Sequence, residues 1–269
     1  MKIMKKIISF SLLVMSLLAI KSPAQTEIMP IMDMNINGLL GGVKDGKFVD
    51  AKTTFAQVKG KKSYSVYSTT TKTATLEIEI SEPSEPCEDF YRANPDLDYI
   101  EGVAVGTNPG WNLLPRPAQW MAPNNPAYVK AASDALRAKG IINKAPKIRE
   151  LYRVDLEGDG QEEILLSATS YEGDAQPRAK KGDYSFVLLR KIVGGKARNT
   201  IVTGDFVTKK IDFGAPGKYL ISSIIDLNGD GKMEIIIYGS YYEGSWIEAY
   251  EMKGNKPAEI KALSAGCGV

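Results

Sequence analysis

Acidic and amide side chains recur in two copies of one short segment. Residues 154–173 read V-D-L-E-G-D-G-Q-E-E-I-L-L-S-A-T-S-Y-E-G, and residues 225–244 read I-D-L-N-G-D-G-K-M-E-I-I-I-Y-G-S-Y-Y-E-G. The copies are 71 residues apart and share ten of twenty aligned positions. Each copy places side-chain oxygens at alternate positions around glycines and then continues into an apolar run. This spacing predicts a tight loop that can surround a hard cation and that leads into a β-strand.

Calcium is the cation that this pattern favours, because it binds roughly six to eight oxygens from carboxylates, carbonyls and water. Glycine has no Cβ and therefore lets the backbone coil around an ion. The candidate ligands are Asp226, Asn228, Asp230, the carbonyl of Lys232 and Glu234 in the second loop, and Asp155, Glu157, Asp159, the carbonyl of Gln161 and Glu163 in the first. The Glu157 side chain is one methylene longer than aspartate, so we expect weaker calcium binding at the first loop. The alternative is an Asp-Gly-rich hairpin turn without metal.

The loops differ from an EF-hand, which needs a bidentate glutamate at loop position twelve and a helix on either side. Position twelve is Leu166 or Ile237, within an aliphatic run typical of a strand. The spacing resembles the D-x-[DN]-x-D-G-x-x-[DE] calcium loops of FG-GAP and VCBS repeats, the type found in the N-terminal propeller of integrin α-subunits. That resemblance implies calcium-binding β-hairpins. Two copies are fewer than the four or more blades of a propeller, so we expect a sandwich-like or partial propeller-like assembly.

The surrounding elements are predicted to be mainly β, in antiparallel sheets with one α-helix. We divide the chain into an N-terminal β region at 25–82, a crossover rich in proline and aromatic residues at 83–126, and a C-terminal β domain at 127–269 with both loops. In the N-terminal region, Asp45-Gly46 predicts a hairpin turn between strands at 38–44 and 47–51. The proline density of the crossover argues against central strands there. Pro126 and Gly140 bracket the helix predicted at 127–139. Strands are expected at 147–154, 163–170, 184–193, 200–207, 218–225, 235–240, 246–252 and 258–263.

Residues 1–24 are predicted to be a secretory signal peptide, with lysines before an apolar run and small residues at the cleavage site. Without these residues the chain carries 30 basic and 32 acidic side chains, so its charge does not favour nucleic acid as a partner. We expect a periplasmic or secreted protein with no transmembrane segment once the signal is removed. Cys87 and Cys267 could form one disulfide across about 181 residues, worth at most about 5 kcal/mol on the chain-entropy estimate.

The chain has no histidine, which excludes Ser-His-Asp and Cys-His nucleophilic sites and histidine-ligated zinc. It also lacks Walker A, G-x-G-x-x-G and G-x-S-x-G motifs. Carboxylate chemistry remains, and two glutamates in repeated Tyr-Glu-Gly segments, Glu172 and Glu243, could act as an acid and a base. The alternative, which their shared position in the repeat favours, is a strand-end turn in which tyrosine packs and glycine bends the chain, so we assign no catalytic residue. Beside Glu243, the aromatic side chains of Tyr241, Tyr242 and Trp246 could stack on a sugar. In the crossover, Trp111 and Trp120 could line a ligand groove.

Two functional hypotheses follow from these patterns. The favoured one is an exported, calcium-stabilised β-rich binding or structural module whose partner is an unidentified protein or glycan. The alternative is a carboxylate-based enzyme that acts on polysaccharide. The absence of histidine and of any reaction motif favours the binding or structural module. In that hypothesis calcium has a structural role.

Overall fold

The computed structural model describes residues 27–97, 100–142, 145–173, 177–214 and 216–268. The predicted signal peptide at 1–24 lies outside the described residues. The described chain is mainly β with antiparallel sheets, as the sequence predicts. Neither of its two helices has the length and apolar character needed to cross a membrane.

The N-terminal unit is a sheet that closes on itself. Its strands are β1 (Met29–Asp33), β2 (Gly38–Lys44), β3 (Lys47–Asp50), β4 (Lys62–Tyr67), β5 (Lys72–Ser81), β6 (Arg92–Pro95) and β7 (Val103–Gly106). The strand order is β1-β7-β4-β5-β6-β2-β3, and β1 also pairs with β2. Six strands therefore form a barrel-like closure, and β3, which pairs with β2, is not one of the six. The β2–β3 turn is the predicted one, with positive φ at Asp45 and Gly46 (51° and 71°).

Two features of this unit differ from the sequence-based expectation of one helix and of a crossover without central strands. A short helix, α1 (Ala51–Gln57), follows β3 directly, because the Asp50 carboxylate caps it by accepting the N–H of Thr53 at 2.8 Å. The crossover also contributes two barrel strands. The residues of β7 include no proline, and the strand pairs with β1 and β4.

The C-terminal region contains two further sheets. The middle sheet has the order β12-β11-β10-β9-β8, and the C-terminal sheet has the order β13-β14-β15-β16. The strands of the middle sheet are β8 (Gln119–Trp120), β9 (Ile148–Val154), β10 (Glu163–Thr169), β11 (Tyr184–Val193) and β12 (Lys196–Phe206), and those of the C-terminal sheet are β13 (Lys218–Ile225), β14 (Glu234–Tyr241), β15 (Gly244–Lys253) and β16 (Lys256–Gly268). The predicted helix is present as α2 (Pro126–Ala138), with Asn125 as its N-cap.

The middle sheet is covered on both faces. One face packs against α2 through Leu136, Leu166 and neighbouring residues. The other face shares one apolar core with the C-terminal sheet, the barrel and the crossover, and Leu165, Ile236 and Val105 belong to it. Every residue of β10 is consequently buried. This common core, together with the Cys87–Cys267 disulfide that ties the end of β16 to the crossover, holds the three sheets together.

Candidate functional site: the paired loops

The two predicted loops lie side by side. The first loop (155–163) joins β9 to β10 and the second loop (226–234) joins β13 to β14, so each closes an antiparallel hairpin. The hairpins have the same register at the loop, since Glu163 pairs with Val154 and Glu234 pairs with Ile225. The two loops are also in direct contact, because the N–H of Met233 donates to the carbonyl of Leu156 at 2.8 Å.

The first aspartate of each loop organises its backbone. The Asp226 carboxylate accepts the N–H groups of Gly229 at 2.7 Å and Gly231 at 3.0 Å. Asp155 accepts the equivalent N–H groups of Gly158 and Gly160 at the same two distances. These four glycines have φ between 72° and 82°, which is the left-handed conformation that favours glycine. The repeated sequence therefore encodes one loop conformation twice.

The remaining predicted ligands occupy matching places. Asp159 and Asp230 accept the backbone N–H groups of Gln161 and Lys232, both at 2.8 Å. In the second loop, Asn228 additionally accepts the N–H of Asp230 at 3.0 Å. The last glutamate of each loop is buried and accepts a hydrogen bond from the residue after the first aspartate, at 3.0 Å for Glu163 with Leu156 and 2.7 Å for Glu234 with Leu227. Within the described ranges, no group of three or more acidic or cysteine side chains is placed to hold a metal ion.

The charge environment of the two loops differs. In the first loop, the buried Lys191 ammonium contacts the Glu157 carboxylate and lies 3.2 Å from Oε1 of Glu163. Burial raises the pKa of Glu163 to about 7, and the charges of Asp159 and Asp155 add to this rise. The adjacent ammonium opposes it, because a nearby positive charge favours the ionised carboxylate.

No described lysine or arginine side chain forms an ion pair with an acidic side chain of the second loop. Glu234 and Asp226 are only 1% and 2% exposed. Burial raises the pKa of both carboxyls, that of Glu234 well above its usual range, and the charges of Asp226, Asp230 and Glu251 raise the pKa of Glu234 further. The second loop therefore holds buried carboxyls that no cationic side chain in the described ranges pairs with.

Two side chains of the crossover, Arg116 and Trp111, hydrogen-bond to backbone carbonyls of the loops. The sequence did not indicate these contacts. The Arg116 guanidinium donates from Nε to the carbonyl of Asp155 at 2.7 Å and from Nη2 to the carbonyl of Gly231 at 2.5 Å. Trp111 donates from Nε1 to the carbonyl of Asp226 at 3.0 Å, and its ring lies so close to Gly229 that a Cβ there would be 2.8 Å from it. No local sequence motif predicts these contacts, because along the chain Arg116 is 39 residues from Asp155 and 115 residues from Gly231.

Comparison of the chain with protein-family models, curated proteins and solved structures found no significant match. The hairpin geometry and shared register of the two loops are therefore described from the structure of this chain alone. Calcium binding and the resemblance to FG-GAP and VCBS repeats remain predictions.

The candidate catalytic glutamates occupy exposed positions at hairpin ends. The Glu172 side chain is 81% exposed and lies 2.7 Å from Nζ of Lys147, whose hydrogen bond and charge lower the pKa of this carboxyl. A general acid at neutral pH needs the opposite shift. Glu243 is exposed in the turn between β14 and β15 and hydrogen-bonds to Tyr242.

The aromatic candidates separate into two groups. Trp111 packs on the second loop and borders an open depression lined by Tyr67 and residues 107–113, and Trp120, 60% exposed on β8, is not part of that lining. Tyr241, Tyr242 and Trp246 do come together. Their ring centroids form a continuous series with two residues that the sequence did not single out, in the order Phe213, Tyr242, Tyr241, Trp246 and Tyr219, with neighbouring centroids 5.6–6.4 Å apart. We call these five side chains the aromatic row.

Proposed function

We propose that this protein is an exported, β-rich binding or structural module in which the second loop binds calcium as a structural ion. The supporting observation is the group of carboxyls at the second loop, of which Asp226 and Glu234 are buried and form no ion pair with a lysine or arginine that the structure describes. Buried carboxylates are costly unless a cation or hydrogen bonds compensate them. A divalent ion at this loop would supply that compensation.

The residues of the second loop fit calcium in their chemistry. All predicted ligands present oxygen, the donor that calcium prefers, from Asp226, Asn228, Asp230, the carbonyl of Lys232 and Glu234. A positively charged group is already accommodated beside the equivalent acids of the first loop, where Lys191 contacts Glu157 and Glu163. The second loop has three of the four equivalent acids, with Asn228 in place of Glu157, and its last glutamate faces no such lysine.

A structural role for the ion follows from where the loop lies. The second loop joins β13 to β14, whose isoleucines belong to the core shared by all three sheets. An ion that binds the folded loop and not the unfolded chain adds about 2.7 kcal/mol to the free energy of unfolding when its concentration is about a hundredfold above Kd. Calcium would therefore act on the stability of the whole molecule.

The test is the calcium-dependent shift in melting temperature of chelator-stripped mature protein. Calcium should raise the melting temperature of the natural protein, and Asp230→Ala should abolish most of that increase while changing the melting temperature in chelator much less. Glu172→Gln, which removes one exposed carboxylate at the far end of β10, serves as the control. Absence of both binding heat and a melting shift at millimolar calcium would refute the proposal.

Our second candidate function is glycan binding at the aromatic row. Rings that are partly exposed can stack on sugars, and Phe213 at one end of the row is 81% exposed. Binding of immobilised polysaccharides should weaken in Phe213→Ala and Tyr242→Ala. Trp120→Ala, which changes an exposed ring on another sheet, is the matched control. Equal binding by all three variants would exclude the row as the contact surface.

A further inference from the structure

We propose that Lys191 serves as a built-in cation for the first loop, so that calcium binds at the second loop and is excluded from the first. This inference deepens the proposed calcium function and rests on it for the second loop. It replaces the expectation of a weaker calcium site at 155–163. Lys191 is thereby the residue that decides which copy of the repeated loop depends on metal.

The strand registers place different side chains opposite the last glutamate of each loop. In the middle sheet Ile164 pairs with Arg190, which places Glu163 opposite Lys191 one residue further along. In the C-terminal sheet Ile235 pairs with Tyr250, which by the same step places Glu234 opposite Glu251. The side chain that faces the last glutamate is thus a lysine in one copy and a glutamate in the other. The separation of 71 residues between the repeats does not reveal this, because it aligns Lys191 with Ala262.

The lysine occupies the place where it can neutralise the first loop. Lys191 is 8% exposed, and its Nζ contacts Glu157 and lies 3.2 Å from Glu163. A buried ammonium requires anionic partners, and buried carboxylates require cationic ones, so this arrangement satisfies both. A calcium ion bound by Glu157 and Glu163 would have to share their carboxylates with the ammonium and would be repelled by it.

The second loop has the opposite environment. Glu251 adds a negative charge next to Glu234, beyond the charges of Asp226 and Asp230. Glu251 forms an ion pair with the largely exposed Lys253 on the same strand, whose Nζ lies 3.0 Å from its Oε1. Arg116 donates to a backbone carbonyl of each loop, and its Nε also lies 3.7 Å from the Asp155 carboxylate, so it adds to the positive charge at the first loop.

A charge exchange tests this inference, with calcium alone as the probe and the chelator-stripped mature protein as the sample. Calorimetry or equilibrium dialysis should give one bound calcium for the natural protein, two for Lys191→Glu and none for Glu251→Lys. The double variant should bind one. Lys253→Gln, which changes a neighbouring exposed charge, should leave the stoichiometry of the natural protein unchanged.

The outcomes separate this inference from the proposed function. Two calcium ions on the natural protein would overturn the inference and leave calcium at the second loop standing. No calcium on the natural protein but one on Lys191→Glu would refute the proposed function and retain the role of Lys191. An unchanged stoichiometry in Lys191→Glu would overturn the inference. If Lys191→Glu fails to fold with or without calcium, Lys191→Gln, which leaves the two glutamates unpaired without adding charge, decides by the same measurement.

Discussion

Replacement of Asp33 by asparagine should change how the stability of the protein depends on pH. Asp33 ends β1 and is completely buried, with an exposed fraction of 0%. Its Oδ2 accepts a hydrogen bond from the Ser222 hydroxyl at 2.6 Å, and its Oδ1 accepts two from Asn35 at 2.8 and 2.9 Å. No described cationic side chain forms an ion pair with it. Burial therefore raises the pKa of Asp33 from 3.8 to about 6, although the hydrogen bonds oppose the rise.

The size and sign of the effect follow from this pKa. The folded state binds the Asp33 proton more tightly than the unfolded state, by about 3 kcal/mol at about 1.36 kcal/mol per pH unit. This contribution to stability is fully present below pH 3.8 and is lost as the pH rises through about 6. Between pH 4 and pH 7 the natural protein should lose about 2–3 kcal/mol through this group. Asp33→Asn does not titrate, so its free energy of unfolding should rise relative to the natural protein by the same amount over that range.

Urea unfolding followed by tryptophan fluorescence, at several pH values and in the presence of chelator, measures this difference. Glu150 also has a pKa raised by burial, but it is present in both proteins and cancels in the comparison. Asp45→Asn is the control for loss of one negative charge from an exposed turn. A difference between Asp33→Asn and the natural protein that stays constant from pH 4 to pH 7 would refute the reasoning.

Two further perturbations test how the sheets are held together. Arg116→Met removes the hydrogen bonds to the carbonyls of Asp155 and Gly231. A hydrogen bond from a charged donor contributes about 1.5–3 kcal/mol, and partial exposure of Arg116 reduces this. We therefore expect the free energy of unfolding, measured in urea, to fall by about 2–4 kcal/mol. Arg116→Lys keeps the charge but cannot reach both carbonyls, so full recovery in this variant would contradict this expectation. The Cys87→Ser, Cys267→Ser double variant should lose up to about 5 kcal/mol of stability through the freed chain entropy of the unfolded state. A urea midpoint of the natural protein that does not respond to reductant would contradict this prediction.

Local sequence patterns predicted most of the strands and the long helix. The apolar run after each loop placed β10 and β14, and the Asp45-Gly46 pair placed the turn between β2 and β3. These features depend on a few neighbouring residues, whose conformational preferences are present in any short window. The sequence missed α1, whose cap at Asp50 directly follows a strand, because seven residues are too few to show a helical period.

The barrel closure was not predictable from such patterns. It depends on the pairing of β1 with β2 and β7, and β7 lies within the proline-rich crossover. Prolines outside a four-residue strand leave its own N–H groups free to pair, so the composition of the longer segment was misleading. Long-range pairing of this kind is decided by the shared core rather than by a local signal.

The sequence by itself determined the conformation of the two loops, because the aspartates and the glycines that they bind lie within six consecutive residues. The tertiary structure alone decided what surrounds those acids. Lys191 and Glu251 come from the next strands, and Arg116 comes from the crossover, so none belongs to the repeated segment. Electrostatic compensation acts over a few ångströms in space and not along the chain, and two loops with the same backbone conformation can therefore differ in the charges that surround their acids.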